Sequence, residues 1–292
     1  MLDDDVIGFV GLGPMGRAIA GRLLEAGIEL IVWDGDLQAC DALVERGAEM
    51  AETLRELTER SDVVLLCLGD TRAVEEAVFG DDGIAAFAGE DQILVDLSGV
   101  EPQATRRFAR ELDQTCGMAW VDAPVVGDPQ GAEDGELLVL AGAFEDDLER
   151  VRPLLACFSR RVTRVGDVGT GQAAKLCHEM LSGIASLALA ETIAFAERSG
   201  VDAERLPEAL ADGYADSLAL QRYGPRMAVR QFEPGVTGLA ALGRGIDAAV
   251  SSARAAGAAV PLTALVAQLL RQHALRAPPE DDPATVVELY SD

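Results

Sequence analysis

One lysine, Lys175, stands among the 24 basic residues of this 292-residue chain; the other 23 are arginines. An ammonium gives up and regains a proton when burial lowers its pKa, whereas a guanidinium stays charged in any protein. Lys175 follows Gly169-Thr170-Gly171-Gln172-Ala173-Ala174 and opens a long apolar stretch of helical character. That setting points to proton transfer. Arginine-rich codon usage would also leave a solitary lysine, so a motif has to decide between the two.

A second constellation lies at the other end of the chain. Gly11-Leu12-Gly13-Pro14-Met15-Gly16 sets G-x-G-x-x-G directly after the apolar run 6–10 and before a helical stretch. The first glycine permits the tight turn, the second lets backbone approach a pyrophosphate, and the third lets helix and strand pack closely. The pyrophosphate then rests on a helix N-terminus, where orphan amides and the dipole favour an anion. Asp34 closes the next apolar run, 18 residues beyond Gly16. A carboxylate there accepts hydrogen bonds from the adenosine ribose and repels a 2′-phosphate. No arginine occurs between Asp34 and Arg46, so NAD is favoured over NADP. A loop carboxylate that never touches the ribose is the plainer alternative. Leu68, just past the run 63–67, is counted with the cofactor site.

The elements that must position these groups follow from periodicity. Short β-type runs at 6–10, 30–33, 63–67, 93–96, 119–121, 137–141 and 161–164 alternate with helical stretches such as 17–26, 37–46 and 102–112. This alternation predicts an α/β domain with a mostly parallel, doubly wound sheet, a Rossmann domain, over residues 1–166. From 172 to about 199 there is no proline, and Gly183 is the one internal glycine. Apolar residues nearly encircle that helix through Leu176, Met180, Leu181, Ile184, Leu187, Leu189 and Ile193, which predicts burial on every side. The stretches 203–211, 238–256 and 262–275 also read as helices, 277–282 as a loop and 283–289 as a short closing helix. Residues 167–292 are therefore expected to form an all-α substrate and dimerisation domain that begins with a long interdomain helix. Homodimers or higher homo-oligomers are expected through it.

Composition narrows the partners. A net charge of -26 offers no basic stripe to nucleic acid and no attraction to anionic membranes. An anionic substrate gains nothing from that field and needs local donors. Hydrophobic residues make up 49% of the chain and mean hydropathy is +0.15, enough for two real cores. Cys40, Cys67, Cys116, Cys157 and Cys177 are scattered, and two histidines without H-x-x-x-H spacing argue against zinc, so no metal is expected. An acidic N-terminus and reduced thiols point to a soluble, cytoplasmic protein.

Four segments in order resemble the β-hydroxyacid dehydrogenase family, which includes 3-hydroxyisobutyrate dehydrogenases and tartronate semialdehyde reductases. They are Gly11-Leu12-Gly13-Pro14-Met15-Gly16; Asp96-Leu97-Ser98; Asp122-Ala123-Pro124-Val125 with Gly131, Ala132 and Gly135; and Gly169-x-Gly171-x-x-x-Lys175. The resemblance implies a Rossmann domain, a helical second domain, and a cleft between them. It also implies hydride transfer between nicotinamide and a small hydroxy acid, with Lys175 as general acid and base and Ser98 near the substrate.

Three departures bear on the substrate. Where the family's loop reads S-G-G, this chain has Val126-Gly127-Asp128, so a hydroxyl is lost and a charge gained, although the Gly127 amide remains as a donor. Where two asparagines usually follow the lysine stand His178 and Glu179, which share a helix face with Lys175 and are expected to cluster with it and Ser182. Arg244 is the nearest basic candidate for a second substrate-reaching residue, and an exposed arginine is the plainer account of it. Lys175-x-x-His178 also resembles 6-phosphogluconate dehydrogenases, whose phosphate-binding set the sequence does not present. Imine reductases share the glycine-rich start but typically lack the lysine and prefer NADP. The acidic pair Asp128 and Glu179 leaves open an amine or imine substrate, and a non-catalytic scaffold is a third reading.

Overall fold

The computed structural model describes residues 5–233, 238–278 and 281–291. The acidic start Met1–Asp4 and the Pro279–Glu280 part of the expected loop lie outside the described residues. By internal contacts the chain divides into Met1–Lys175 and Leu176–Asp292.

The first unit is a nine-stranded sheet with helices. In chain order it contains β1 (Ile7–Val10), α1 (Pro14–Glu25), β2 (Leu30–Trp33), α2 (Asp41–Val44), β3 (Glu49–Met50), α3 (Leu54–Arg60), β4 (Val63–Leu66), α4 (Thr71–Phe79) and β5 (Ile93–Asp96). It continues with α5 (Pro102–Cys116), β6 (Ala119–Asp122), β7 (Val125–Val126), α6 (Pro129–Glu133), β8 (Leu137–Gly142), α7 (Glu145–Ala156), β9 (Ser159–Gly166) and the start of α8 (Thr170–Arg198). The sheet order is β3-β2-β1-β4-β5-β6-β8-β7, with β9 beside β8. From β3 to β6 every pairing is parallel, and β8 runs antiparallel to β6 and β7. The path 3-2-1-4-5-6 is the doubly wound dinucleotide order, and its switch point lies between β1 and β4.

The apolar runs are continuous because both sheet faces are covered. Ile7, Phe9, Val63, Leu65, Ile93 and Val95 point into one core. Their alternates Val10, Val64, Leu66 and Leu94 point into the other. Two readings needed revision here. The stretch 37–46 is not one helix: a 3-10 turn, Leu37–Cys40, precedes α2, with Asp36 capping it through the amide of Gln38. The strands β3 and β7, two residues each, carry no apolar run of their own and escape periodicity.

The second unit holds the rest of α8, then α9 (Leu206–Leu210), α10 (Leu218–Val229), α11 (Leu239–Ala255), α12 (Pro261–Ala274) and a closing 3-10 segment, Pro283–Tyr290. The stretch 203–211 splits after Arg205 into a 3-10 turn and α9, which has Pro207 in its first turn. Leu187, Ala190 and Ile193 of α8 pack with Met227, Ile246, Val266, Leu270, Val286 and Val287. Gly183 is glycine because a Cβ there would lie 2.4 Å from Ile246 Cδ1. Within the single chain α8 leaves Leu181 and Phe195 each 71% exposed, on a side that the burial expected all round would give to another subunit. One face meets the unit's core, while Leu181 and Phe195 point away from it. By length and composition α8 is also apolar enough to cross a membrane, but its inner face is part of a packed helical core.

Candidate active site

The turn after β1 fits a dinucleotide phosphate closely. Gly11 takes φ +94°, and a Cβ on it would meet the carbonyl oxygen of Cys67 at 2.6 Å and Leu68 Cδ2 at 2.7 Å. Thus Leu68, at the end of β4, closes the switch point from the other side. A Cβ on Gly16 would sit 2.0 Å from the Gly11 carbonyl oxygen, whereas one on Gly13 would find no atom within 4 Å. Gly13 caps α1 without a side-chain bond, Pro14 is its first residue, and the amides of Met15 and Gly16 point out of the first turn. The result is an open, amide-lined cradle. Asp34 bounds it: Oδ2 accepts the Leu12 amide at 2.7 Å and Oδ1 the Asp36 amide at 2.9 Å. Each oxygen keeps a lone pair for a ribose hydroxyl. The cradle, its first-turn amides and this carboxylate fit a dinucleotide.

Lys175 sits in the second turn of α8, and its Nζ lies 4.0 Å from where a Gly99 Cβ would be. It therefore packs on the loop that leaves β5. That loop is tightly held. Ser98 is 2% exposed, its Oγ accepts the Leu68 amide at 2.9 Å, and its own amide donates to Asp96 Oδ1 at 3.0 Å. The Ser98 hydroxyl therefore joins the loops after β4 and β5. Gln172, also 2% exposed, accepts the Val100 amide at 3.1 Å and donates to the Ser98 carbonyl at 2.8 Å. The first turn of α8 is thus bolted to the loop its lysine faces.

Two buried acids lie beneath this arrangement. Burial pushes Asp96 up to about 6, against hydrogen bonds from Ser98 and the nearby Lys175 charge. Burial first, and then the charge of Asp96, push Asp122 up to about 7. Burial likewise holds the Cys67 thiol protonated, up to about 12, despite Lys175. Asp96, Asp122 and Gln172 were not singled out as site residues from the sequence. The available signal was an acid ending each of two apolar strands, Ile93-Leu94-Val95-Asp96 and Ala119-Trp120-Val121-Asp122.

The remaining candidates belong to both units. Val126 is half-buried in β7 opposite Leu138, and Gly127 has φ +137°. Asp128 caps α6, accepting the Gly131 amide at 2.8 Å, which gives its carboxylate a structural task. His178 is exposed and bonds Ser182 at 3.3 Å through Nε2. Glu179 lies against α11, with Oε2 2.8 Å from where a Gly245 Cβ would be, and Arg244 is exposed. Among the described residues no ion pair joins Lys175 to Glu179.

Comparison with known proteins agrees with this geometry. Residues 6–166 match the family profile described as the NAD binding domain of 6-phosphogluconate dehydrogenase. Residues 169–290 match the NAD-binding profile of NADP-dependent 3-hydroxyisobutyrate dehydrogenase. The 2-hydroxy-3-oxopropionate reductase of Escherichia coli is 35% identical over 282 residues, covering 97% of this chain and 96% of its own. The chain belongs to the β-hydroxyacid dehydrogenase family. A 3-hydroxyisobutyrate dehydrogenase of Pseudomonas aeruginosa is 34% identical over 92% of both chains. Among solved structures, the 3-hydroxyisobutyrate dehydrogenase of Mycobacterium tuberculosis, described with L-serine, superposes with a TM-score of 0.91 at 25% identity over 99% of both chains. Imine reductases share the fold at lower similarity; that of Bacillus cereus has a TM-score of 0.65 at 24% identity. As a β-hydroxyacid dehydrogenase the chain is an NAD(P)-dependent oxidoreductase, and its partner is a small molecule.

Proposed function

We propose that this β-hydroxyacid dehydrogenase interconverts a small 3-hydroxy acid and its aldehyde or keto form, using NAD(H) in preference to NADP(H), with Lys175 as general acid and base. The observation that supports this most is the position of the single lysine, held at the strand ends beside the dinucleotide turn by Gln172 and packed on Gly99. Gly11–Gly16 and the first-turn amides of α1 would hold the phosphates of a nicotinamide dinucleotide and Asp34 its adenosine ribose; when bound, that cofactor would supply hydride transfer. During oxidation Lys175 takes the hydroxyl proton; during reduction it returns that proton to the carbonyl oxygen, its charge stabilising the alkoxide that develops. Ser98, Val126, Gly127, Asp128, His178 and Glu179 are the proposed substrate surroundings, with residues 1–166 the cofactor domain and 167–292 the substrate and oligomerisation domain.

Lys175→Met tests the reading. It is expected to bind NAD as the parent does and to lose turnover by at least about a hundredfold; unchanged turnover sinks the mechanism. The names of the relatives set the substrate panel: 3-hydroxyisobutyrate, 2-hydroxy-3-oxopropionate and L-serine, with cyclic imines as the contrast, each with both cofactors. Turnover of imines alone would transfer the assignment to the imine reductases. The exposed α8 residues Leu181 and Phe195 support a homo-oligomer; a cytoplasmic setting is part of the same proposal. Light scattering that finds a monomer in both the parent and Leu181→Glu would remove that part.

A further inference from the structure

Asp96 and Asp122 end adjacent parallel strands in direct register, so their carboxyl groups leave the same sheet face from backbones about 5 Å apart. Both side chains are fully buried. Asp122 Oδ2 accepts the amides of Gly169 at 2.9 Å and Gln172 at 3.2 Å, so it caps the N-terminus of α8. Asp96 Oδ1 accepts the Ser98 amide. The other oxygen of each, Asp96 Oδ2 and Asp122 Oδ1, is buried without any partner. Leaving two such acceptors orphaned is costly, and two adjacent buried carboxylates repel strongly if both ionise. One proton placed between the orphaned oxygens removes both penalties, giving each oxygen a partner and leaving one negative charge at the helix N-terminus, where it is favoured.

We propose that Asp96 and Asp122 share a single proton and act as positioning residues for Lys175, Asp122 fixing the first turn of α8 and Asp96 fixing the loop that Lys175 packs on. This rests on the reading of Lys175 as the general acid and base. The close packing around Asp122 is built for it: Cβ atoms on Gly142 and Gly171 would stand 2.8 and 2.9 Å from its Oδ2. Three further titratable or charged groups lie near this cluster: Lys175 on α8, the Cys67 thiol past β4, and Arg106 of α5, which reaches the Gly169 carbonyl at 3.5 Å; the Asp167 carboxylate before α8 is exposed and pairs with Arg164 at 3.0 Å. Because both carboxyls are held above the ordinary value of 3.8, the folded chain binds more protons than the unfolded one up to about pH 7. The stabilisation given by the shared proton is therefore present at acidic pH and is lost as pH rises through about 7, where the pair's last proton leaves.

Asp96→Asn puts a permanent neutral donor beside Asp122 and removes the shared proton. In the full chain, the urea midpoint of the parent is expected to fall between pH 5 and 8 more steeply than that of Asp96→Asn. Infrared spectra at pH 6 should show a protonated-carboxyl band in the parent that Asp96→Asn lacks. Asp122→Ala should lower kcat by about a hundredfold with KM for NAD little changed, and Asp122→Asn, which restores an acceptor for the α8 amides, should recover most of it. Equal pH slopes, an infrared band that persists in Asp96→Asn, or full kcat in Asp122→Ala each overturn the proposal. If Asp122→Ala does not fold, the Asp96→Asn measurements decide. Loss of turnover in Lys175→Met alongside full turnover in Asp122→Ala would sink the positioning role alone. Full turnover in Lys175→Met would sink the general acid and base, leaving the infrared and stability results to judge the shared proton.

Discussion

Gly13 and Gly16 belong to one turn but answer different demands, and substitution separates them. A methyl at Gly13 would meet no atom within 4 Å, and the residue already has φ −59°, which alanine adopts freely. Gly13→Ala should therefore leave stability within about 0.5 kcal/mol of the parent, while its methyl occupies the phosphate cradle. NAD binding should weaken roughly tenfold, the equivalent of about 1.4 kcal/mol. A methyl at Gly16 would instead lie 2.0 Å from the Gly11 carbonyl oxygen, a backbone atom that cannot swing aside. Gly16→Ala should lower stability by about 1–3 kcal/mol before any ligand is added. Thermal unfolding and NAD titration of both variants check the pair; a Gly13→Ala chain that binds NAD at parental strength would mean the phosphates lie elsewhere.

Among the elements, α8 carries the most consequence, and its first turn depends on one amide side chain. Gln172→Ala would leave the buried Val100 amide and Ser98 carbonyl without their partner. At about 1–3 kcal/mol for each of the two orphaned groups, the expected loss is about 2–6 kcal/mol, together with a fall in kcat because Lys175 follows in the next turn. Denaturant melts and single-turnover rates measure the two effects, and a drop in stability with kcat intact would detach Gln172 from the lysine. The same helix shows what sequence reading reaches. Short apolar runs placed β2 and β5 at their observed limits, and the G-x-G-x-x-x-K spacing placed Lys175 near the start of α8. The two-residue strands β3 and β7 lay beyond that reach because pairing across the sheet, not local pattern, makes them strands. Asp96 and Asp122 lay beyond it as a pair, since adjacency in register and an oxygen without a partner exist only once the sheet has formed. Around α8, apolar residues on all sides suggested full burial, but periodicity counts faces without saying what covers them.

At the scale of the whole molecule the charge of -26 surrounds a site proposed to take an anion. A hydroxy acid approaches as a carboxylate through a field of its own sign, and only the local donors and Lys175 favour its arrival. At 0.01 M salt that field reaches about 30 Å, and at 0.15 M about 8 Å. Screening should therefore raise kcat/KM for a hydroxy acid by about threefold over that range, measured with NAD saturating so that cofactor binding does not enter. An iminium or amine-bearing substrate approaches with the opposite sign, and its kcat/KM should fall over the same range. A zwitterion such as L-serine should change least. Salt dependence thus reads substrate charge from the protein's own field, independently of any assumption about Val126, Asp128 or Glu179. A fall in kcat/KM with added salt for the best substrate of the panel would contradict an anionic hydroxy acid and favour a cation.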